Sequence, residues 1–363
     1  MTAFTAGRRG LRVVVVEHAN RVGKKILMSG GGRCNFTNTG TTPANYLSGN
    51  PHFAKSALAR YTPWHFIEMV ERHGIAYHEK ELGQLFCDES SKLIVKMLVD
   101  ECDAAGVRIL TGCSVEQVDA IGERDFQART TAGPFRARAL AVATGGLSIP
   151  SMGASGFGYE LARTFGHTVL PTRAGLVPLT LSGTHQQRFE GLSGVAFPVT
   201  VDANGASFSN QMLITHRGLS GPSILQISSY WQPGDALTLD LLPGRDALDV
   251  LTAQRAARPA AMLHTVLSDL LPKRFAQRLC EAWLPDRPMK QIDPPQLREA
   301  AALLQRFPVV ASGTEGYRTA EVTLGGVDTH ELSSSTMESR RVPGLYFVGP
   351  CAPVPAPMPP RSW

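Results

Sequence analysis

The chain has 363 residues, of which 43% are apolar and 18% are charged, and its formal net charge is +5. These values are ordinary for a globular protein of roughly two or three domains. No apolar run is long enough to span a membrane and no signal-peptide pattern begins the chain, so we expect a cytoplasmic protein without membrane contacts. Its basic clusters alternate with acids and lack an aromatic–basic RNA motif, which favours solvated helix faces over a nucleic-acid surface.

The cysteines are too scattered to form a recognisable metal or redox motif. They are Cys34, Cys87, Cys102, Cys113, Cys280 and Cys351. No C-x-x-C pair occurs among them, so we expect free thiols and no bound metal.

The first ten residues, 1–10, read as the end of a helix that leads into an apolar strand at Leu11–Val16. A complete Rossmann unit has a first strand and a G-x-G-x-x-G turn before this point, and both are absent here. The strand is followed by an acid, Glu17, at the position where a Rossmann sheet binds an adenosine ribose. We therefore expect a Rossmann-type domain that lacks its first strand, because of either a misassigned start or a true truncation.

The next stretch combines basic residues with three consecutive glycines. It reads Lys24-Lys25-Ile26-Leu27-Met28-Ser29-Gly30-Gly31-Gly32-Arg33-Cys34-Asn35. Glycines let backbone N–H groups approach a ligand, and the basic side chains supply positive charge for a pyrophosphate. Together with the preceding strand and acid, this stretch predicts the floor of a flavin site, although a glycine triplet alone is more often a turn.

Amphipathic helices are predicted at about Trp64–His73 and Lys92–Ala105, each followed by glycine. Short strands at Val107–Leu110, Ser114–Val118, Phe126–Arg129 and Phe135–Arg138 predict a small antiparallel ribbon. The apolar strand from Leu140 then ends in Thr144-Gly145-Gly146. This pattern is typical of a buried parallel strand whose carboxyl end passes under a cofactor, or of a strand followed by a simple turn.

From about Ala174 the pattern changes to alternating strands. They are predicted at Val177–Leu181, Val195–Val201, Ala206–Phe208, Met212–Thr215 and Ala236–Leu241. We interpret 174–249 as an inserted β-barrel and 250–310 as a small helical subdomain within that insertion. Residues 1–173 form the first part of the FAD-binding domain, and 311–349 return to the barrel and the FAD-binding domain.

The last predicted strand ends near Gly349, and the following residues, 350–363, are dense in proline. Proline at this density cannot continue a helix or a central strand. We therefore expect no helix here. The family that other motifs of this chain resemble has a closing helix after this strand, so the resemblance implies that the helix is missing through a frameshift or assembly error; the alternative is an extended partner-binding peptide.

Several motifs resemble the YhiN/RdsA/BaiN-like family of bacterial NAD(P)/FAD-dependent oxidoreductases. They are VGKKILMSGGGRCNFTN, SALARYT, HEKELGQLFCDES, ATGGLSIPSMGASGFGYE, LPTRAGLVPLTL, THRGLSGPSILQISSYWQPG and GTEGYRTAEVTLGGVDT. The resemblance covers roughly residues 8–349 and is strongest to the YhiN/RdsA branch. It implies an α/β fold, with a Rossmann-type FAD-binding domain interrupted by the barrel insertion.

The resemblance also implies cofactors and site residues. FAD would be reduced by NAD(P)H and would pass hydride to an electron-poor C=C bond. The implied FAD contacts are Glu17, Lys24, Lys25, Ser29, Gly30, Gly31, Gly32, Arg33, Thr144, Gly145, Gly146, Thr323, Gly325, Gly326 and Gly349. Arg33, Cys34 and Asn35 are the catalytic candidates, and packing is the somewhat favoured role of Cys34. His216 and Arg217 either face the site or form a barrel corner.

The substrate implied by this branch is uridine in 23S rRNA, which would be converted to dihydrouridine. The alternatives within the family are a small-molecule enone and, for oxidation, an amine. A different alternative is an inactive fragment unable to hold FAD, since a missing phosphate loop removes charge-assisted contacts and a missing central strand exposes sheet edges.

Overall fold

The computed structural model describes residues 1–352. The chain forms two compact units, of which the first contains Met1–Arg173 and the segment from Thr323 onward, and the second contains Ala174–Val322. Most of the predicted proline-rich tail, from position 353, lies outside the described residues. No helix in the described range is long and apolar enough to cross a membrane.

The α-helices are α1 (Thr2–Arg8), α2 (Lys24–Met28), α3 (Phe53–Arg60), α4 (Pro63–Arg72), α5 (Ser91–Ala104), α6 (Phe157–Thr164), α7 (Gly183–Arg188), α8 (Pro222–Ile227), α9 (Ala247–Ala257), α10 (Leu263–Leu267), α11 (Lys273–Ala282) and α12 (Pro294–Gln305). Short 3₁₀ helices cover Ser29–Gly32, Pro43–Asn45, Pro150–Met152, Met289–Gln291, Thr329–Glu331 and Gly349–Cys351.

The strands are β1 (Val14–Val16), β2 (Asn35–Asn38), β3 (Tyr77–Glu79), β4 (Gln84–Cys87), β5 (Arg108–Leu110), β6 (Val115–Gly122), β7 (Asp125–Thr130), β8 (Gly133–Ala137), β9 (Leu140–Val142), β10 (Val169–Gly175), β11 (Leu179–Thr180), β12 (Ala196–Ala203), β13 (Ala206–Ile214), β14 (Gly218–Ser220), β15 (Ala236–Asp240), β16 (Phe307–Val310), β17 (Gly313–Thr314), β18 (Val322–Val327) and β19 (Leu345–Phe347).

Local sequence signals set the helices that were predicted in the first unit. Pro63 occupies the first turn of α4, where its missing N–H costs nothing, and Thr62 and His65 cap this turn reciprocally. The Ser90 side chain accepts a hydrogen bond from the Lys92 N–H at the start of α5. Both helix predictions are confirmed within one residue at each end.

Parallel pairing in the first unit occurs in two places. β1 pairs with β5, with Val14 opposite Arg108, and β9 pairs with β19, with Leu140 opposite Leu345. The prediction that the strand at Val107–Leu110 belongs to the antiparallel ribbon is therefore wrong, because β5 instead takes β1 as its parallel partner. The remaining ribbon strands are confirmed, since β6, β7 and β8 form a three-stranded antiparallel sheet.

Two apolar cores support these sheets. One core contains Phe4 of α1 and the apolar faces of α4 and α5, packed against β2 and β4. The other contains Val142 of β9, Phe347 of β19 and the apolar face of α6. The amino-terminal residues thus form a helix, as predicted, and α1 buries Phe4 in the first core.

The second unit is built on a seven-stranded sheet with the order β16-β15-β12-β13-β14-β11-β17. Every neighbouring pair is antiparallel. Only Ala311 and Ser312 separate the two edge strands, so the ends of the sheet meet and the sheet curls towards closure, in agreement with the predicted barrel. The two strands predicted at 206–208 and 212–215 are one continuous strand, β13, which pairs with β12 along its whole length.

The range predicted as a helical subdomain contains α9 to α12. Its helices pack their apolar faces on the barrel strands in one core that includes Leu251, Phe275 and Leu304. The first helix begins three residues earlier than predicted because Asp246 caps the N–H of Asp249. The last helix ends at Gln305, and Phe307 begins β16, so the end of the predicted helical range at 310 includes a strand.

Candidate functional site

The glycine triplet forms a tight turn between α2 and β2. Gly30, Gly31 and Gly32 have φ values of 57°, 67° and 89°, a region that costs little only for glycine. A Cβ on Gly30 would lie 2.7 Å from Cε1 of Phe86, whereas a Cβ on Gly31 or Gly32 would meet no atom of residues 1–352 within 4 Å. Gly30 therefore permits close packing inside the protein, while Gly31 and Gly32 present backbone to open space.

The two predicted lysines lie just before this turn. Lys24 and Lys25 form the first turn of α2, which follows Gly23 in a left-handed conformation. Burial lowers the pKa of the Lys25 ammonium, because desolvation disfavours its charge. An anion bound beside this ammonium would offset that cost. Ser29 is buried and its hydroxyl donates to the Ile26 carbonyl at 3.0 Å, so its side chain supports the turn.

Glu17 lies where β1 ends, as predicted. Its Oε1 accepts a hydrogen bond from the Ala19 N–H at 2.8 Å and lies 3.2 Å from Nδ1 of His18. The side chain remains about one-third exposed, with a relative exposure of 33%. A carboxylate at the carboxyl end of a parallel strand is well placed to accept hydrogen bonds from ribose hydroxyls.

The three catalytic candidates have different surroundings. The Arg33 side chain is exposed. Cys34 is only 3% exposed and belongs to the apolar core around Phe36, and burial raises the pKa of its thiol, although a hydrogen bond with Ser29 partly opposes this. Asn35 is 1% exposed, and within residues 1–352 neither its Nδ2 nor its Oδ1 has a hydrogen-bond partner.

A second group of predicted residues meets at the carboxyl end of β9. Thr144 is exposed and Gly145 is half-buried, and Gly145 has a φ of 74°. A Cβ on Gly146 would lie 2.6 Å from Oγ1 of Thr323, which also accepts the N–H of Leu147 at 2.8 Å. The fold thus brings Thr323 against the Thr-Gly-Gly turn.

The remaining predicted glycines lie on β18 and after β19. Gly325 and Gly326 both lie inside β18. A Cβ on Gly325 would lie 2.1 Å from the carbonyl oxygen of Pro171, and one on Gly326 would lie 2.6 Å from that of Cys351. These glycines permit close backbone packing. Gly349 has a φ of 72°, and a Cβ there would meet no atom of the described residues within 4 Å.

One contact links the two groups. His18, next to Glu17, lies so close to Gly153 that a Cβ there would be 2.6 Å from Nε2 of His18. Gly153 follows the Thr-Gly-Gly turn by seven residues. The carboxyl ends of β1 and β9 therefore lie on the same side of the first unit, which is where open α/β sheets bind their ligands.

His216 and Arg217 lie in the second unit, in the turn between β13 and β14. The Thr215 hydroxyl accepts the N–H groups of Arg217 and Gly218, and the Arg217 carbonyl accepts the N–H of Leu181. These bonds stabilise a corner of the barrel, which agrees with the structural alternative for this turn.

The residue that the sequence reading missed is Gln84. It is 2% exposed at the start of β4, and within the described residues its Nε2 has no hydrogen-bond partner. A glutamine in the otherwise apolar run Gln84–Cys87 is the signal that could have identified it. Elsewhere, no three His, Cys, Asp or Glu side chains in residues 1–352 are grouped so that they could hold a metal ion, and all six cysteines are free and buried.

Comparison with known proteins identifies the class. The chain belongs to the HI0933-like family, since the family model for the HI0933-like protein Rossmann domain matches residues 1–358. This family assignment agrees with the α/β fold and with the resemblance found in the motifs.

Curated relatives cover most of this chain. A protein of Escherichia coli (strain K12) named ribosomal RNA dihydrouridine synthase is 52% identical over 95% of this chain and 86% of its own length. A protein of the same name from Haemophilus influenzae is 48% identical over 96% of this chain and 88% of its own length. A 3-dehydro-bile acid delta(4,6)-reductase of Clostridium scindens is 29% identical over 93% of this chain and 86% of its own length.

Proposed function

We propose that this protein is an FAD-dependent oxidoreductase that uses NAD(P)H to reduce uridine to dihydrouridine in 23S rRNA. The names of the two relatives at 52% and 48% identity support the rRNA substrate. The structural observation that carries the proposal is the open turn at Gly31 and Gly32, followed by the buried, unpartnered amide of Asn35. An rRNA substrate also agrees with the expected cytoplasmic location.

The residues of the first unit fit FAD on three counts. Gly31 and Gly32 leave backbone open where a Cβ would meet nothing within 4 Å, so a ligand can approach closely. Lys24 and Lys25 precede this turn and supply charge for a diphosphate. Glu17 stands at a strand end with an exposed carboxylate for a ribose. We propose that these residues hold FAD together with Thr144, Gly145, Gly146, Thr323 and Gly349.

A bound FAD would supply a hydride, accepted from NAD(P)H, to the electron-poor C=C bond of the substrate. Arg33 is exposed beside the turn and would attract the anionic RNA backbone. Asn35 would orient a ring through its unpartnered amide. We assign packing to Cys34, because its side chain belongs to the apolar core on the other side of β2.

The bile-acid reductase at 29% identity favours a second candidate, the reduction of a small-molecule enone. The same flavin site would serve both reactions, because both saturate an electron-poor C=C bond. The two candidates differ in whether rRNA or a small molecule must reach the turn.

The proposal is tested in two steps. The purified chain is first examined for flavin absorbance, and we expect about one flavin per chain. The gene is then expressed in a bacterial strain that lacks its own 23S rRNA dihydrouridine synthase, and dihydrouridine is mapped in the rRNA. Restored dihydrouridine supports the proposal. A yellow protein that reduces a steroid enone but restores no dihydrouridine would favour the second candidate, and a colourless protein without activity would contradict both.

A further inference from the structure

One face of the small β2-β4-β3 sheet is buried but polar. In its antiparallel ladder Asn35 lies opposite Phe86, and Asn38 lies opposite Gln84, with one extra residue between the two pairs on β2. Opposite residues point to the same face, and so do residues two apart on a strand. Asn35, Asn38, Gln84 and Phe86 therefore share one face, while Leu85 and Cys87 point into the apolar core.

The amides on this face are satisfied very unequally. Asn38 is fully buried, donates from Nδ2 to the Leu82 carbonyl at 3.0 Å and accepts at Oδ1 from the Gly40 N–H at 2.7 Å. Asn35 and Gln84 are equally buried, yet both amide atoms of Asn35 and the Nε2 of Gln84 have no partner within the described residues. A buried polar group without a partner is costly and rare, so these atoms point to a ligand that supplies the missing bonds.

The unpartnered atoms have a specific chemical pattern of two donors and one acceptor. Nδ2 of Asn35 and Nε2 of Gln84 donate, and Oδ1 of Asn35 accepts. An imide, which has one N–H between two carbonyl oxygens, offers one donor and two acceptors and so matches this set of atoms. The open glycine turn adjoins this face, because Gly30 packs against the ring of Phe86, and its open backbone suits a flat ring.

We propose that Asn35 and Gln84 together bind the imide edge of a pyrimidine ring. This inference rests on the proposed function, in which two rings carry that edge: the uracil of the RNA substrate and the pyrimidine portion of the flavin. In either case Oδ1 of Asn35 accepts the ring N3–H, and the two side-chain NH₂ groups donate to the flanking carbonyl oxygens. Gln84 is then a binding residue that no motif of the sequence indicated.

The binding test uses the full chain and two probes. The first is a single-stranded RNA hexamer with one central uridine, compared with the same hexamer carrying 3-methyluridine, which lacks the N3–H. The second is FAD, titrated into flavin-depleted full chain. Each titration is made with the wild type, Gln84→Met and Asn35→Leu, since both substitutions remove the amide and keep a side chain of similar size.

If uracil is the ring, the wild type binds the uridine hexamer at least about ten-fold more tightly than the methylated one, and both variants lose this difference while retaining FAD affinity. If the flavin is the ring, both variants bind FAD at least about ten-fold more weakly, and the wild type does not distinguish the hexamers. If both variants bind FAD as tightly as the wild type, and the wild type does not distinguish the two hexamers, the proposal is wrong. Ordered water would then be the partner of these amides.

The melting temperature of each variant shows whether the substitution has disturbed the fold. Asn38→Leu is the matched control, because it makes the same substitution on the same face but removes bonds that the protein itself uses. Without ligand, we expect Asn38→Leu to lower the melting temperature, and Asn35→Leu and Gln84→Met to leave it unchanged or raise it. If Gln84→Met lowers the melting temperature as much as Asn38→Leu does, Gln84 has a structural role and the proposal is wrong.

Failure of the imide-site proposal can be distinguished from failure of the proposed function. A protein that discriminates between the hexamers, or that loses FAD in these variants, retains the imide site even if it restores no dihydrouridine to 23S rRNA. Conversely, restored dihydrouridine with unchanged binding by both variants would support the proposed function and reject the imide site.

Discussion

The hydroxyl of Thr323 lies so close to Gly146 that a Cβ at position 146 would be 2.6 Å from Oγ1. The same oxygen accepts the N–H of Leu147 and is 3.0 Å from the Ser148 hydroxyl, so it cannot move away freely. This contact fixes the turn after β9 against β18, and it explains why the Thr-Gly-Gly sequence ends in glycine.

Gly146→Ala should therefore destabilise the first unit. Overpacking of this kind costs about 1–3 kcal/mol, which would appear as a lower midpoint in urea unfolding. Gly49→Ala is a suitable control, because a Cβ there meets nothing within 4 Å and its φ is not positive. Equal midpoints for the two variants would show that Thr323 and the turn separate without cost.

The glycine triplet gives a prediction that separates folding from binding. Gly30→Ala should destabilise the protein, because its Cβ would collide with Phe86, while Gly31→Ala should cost only the backbone strain of about 1 kcal/mol. We expect Gly31→Ala to lose bound flavin nonetheless, since the new methyl group occupies the open side of the turn. Melting temperature and flavin absorbance are measured on both variants. Full flavin content in Gly31→Ala would show that the ligand does not approach this backbone.

Local signals made most elements of this fold predictable. α4 and α5 combine an apolar stripe with a capping residue and a terminal glycine, so their bounds follow from nearby residues alone. The pairing partner of a strand, in contrast, does not follow from nearby residues. The sequence of β5 suits a ribbon as well as a parallel sheet, and in the fold it pairs with β1, where both strands pack on the core that includes α5.

The sequence predicts the parts of the candidate site that depend on glycine and charged residues. It does not predict the parts that depend on which side chains lie on the same face of the folded β2-β4-β3 sheet. Gly30 to Gly32 indicate a turn from their composition. Gln84 becomes notable only once β4 is known to pair with β2, because only the folded sheet shows that its Nε2 has no hydrogen-bond partner within residues 1–352. Cys34 likewise adjoins the glycine turn in sequence but lies in the apolar core in space.

A buried charge network gives a prediction about pH. Nδ1 of His167 lies 2.9 Å from Oε2 of Glu331, and Nε2 lies 2.8 Å from the Ser339 hydroxyl. Burial would raise the pKa of Glu331, but hydrogen bonds from Arg341, Thr168 and His167 outweigh it and lower the pKa from 4.5 to about 2. Burial lowers the pKa of His167 below its usual 6.5, although the hydrogen bond with Glu331 opposes this shift.

Because both pKa values are lowered in the folded state, acidic pH destabilises the folded protein. A depressed carboxyl pKa contributes stability above pH 4.5 that is lost as the pH falls towards 2, and a depressed histidine pKa contributes stability that is lost as the pH falls below 6.5. Urea unfolding between pH 7 and pH 3 should show a shallower pH dependence in Glu331→Gln than in the wild type. The exposed Glu116→Gln serves as the control, and an identical pH dependence in all three proteins would contradict the role of Glu331.

Substitution of Cys34 distinguishes packing from proton donation. Cys34 is 3% exposed among apolar side chains, so Cys34→Ala should leave a small cavity and cost about 1 kcal/mol of stability. Because packing is the assigned role, we expect flavin content to be unchanged and uridine reduction to stay within about three-fold of the wild type. A general acid typically contributes at least about 100-fold to the rate. A loss of that size in single-turnover reduction, at unchanged flavin content and melting temperature, would instead make the Cys34 thiol the proton donor.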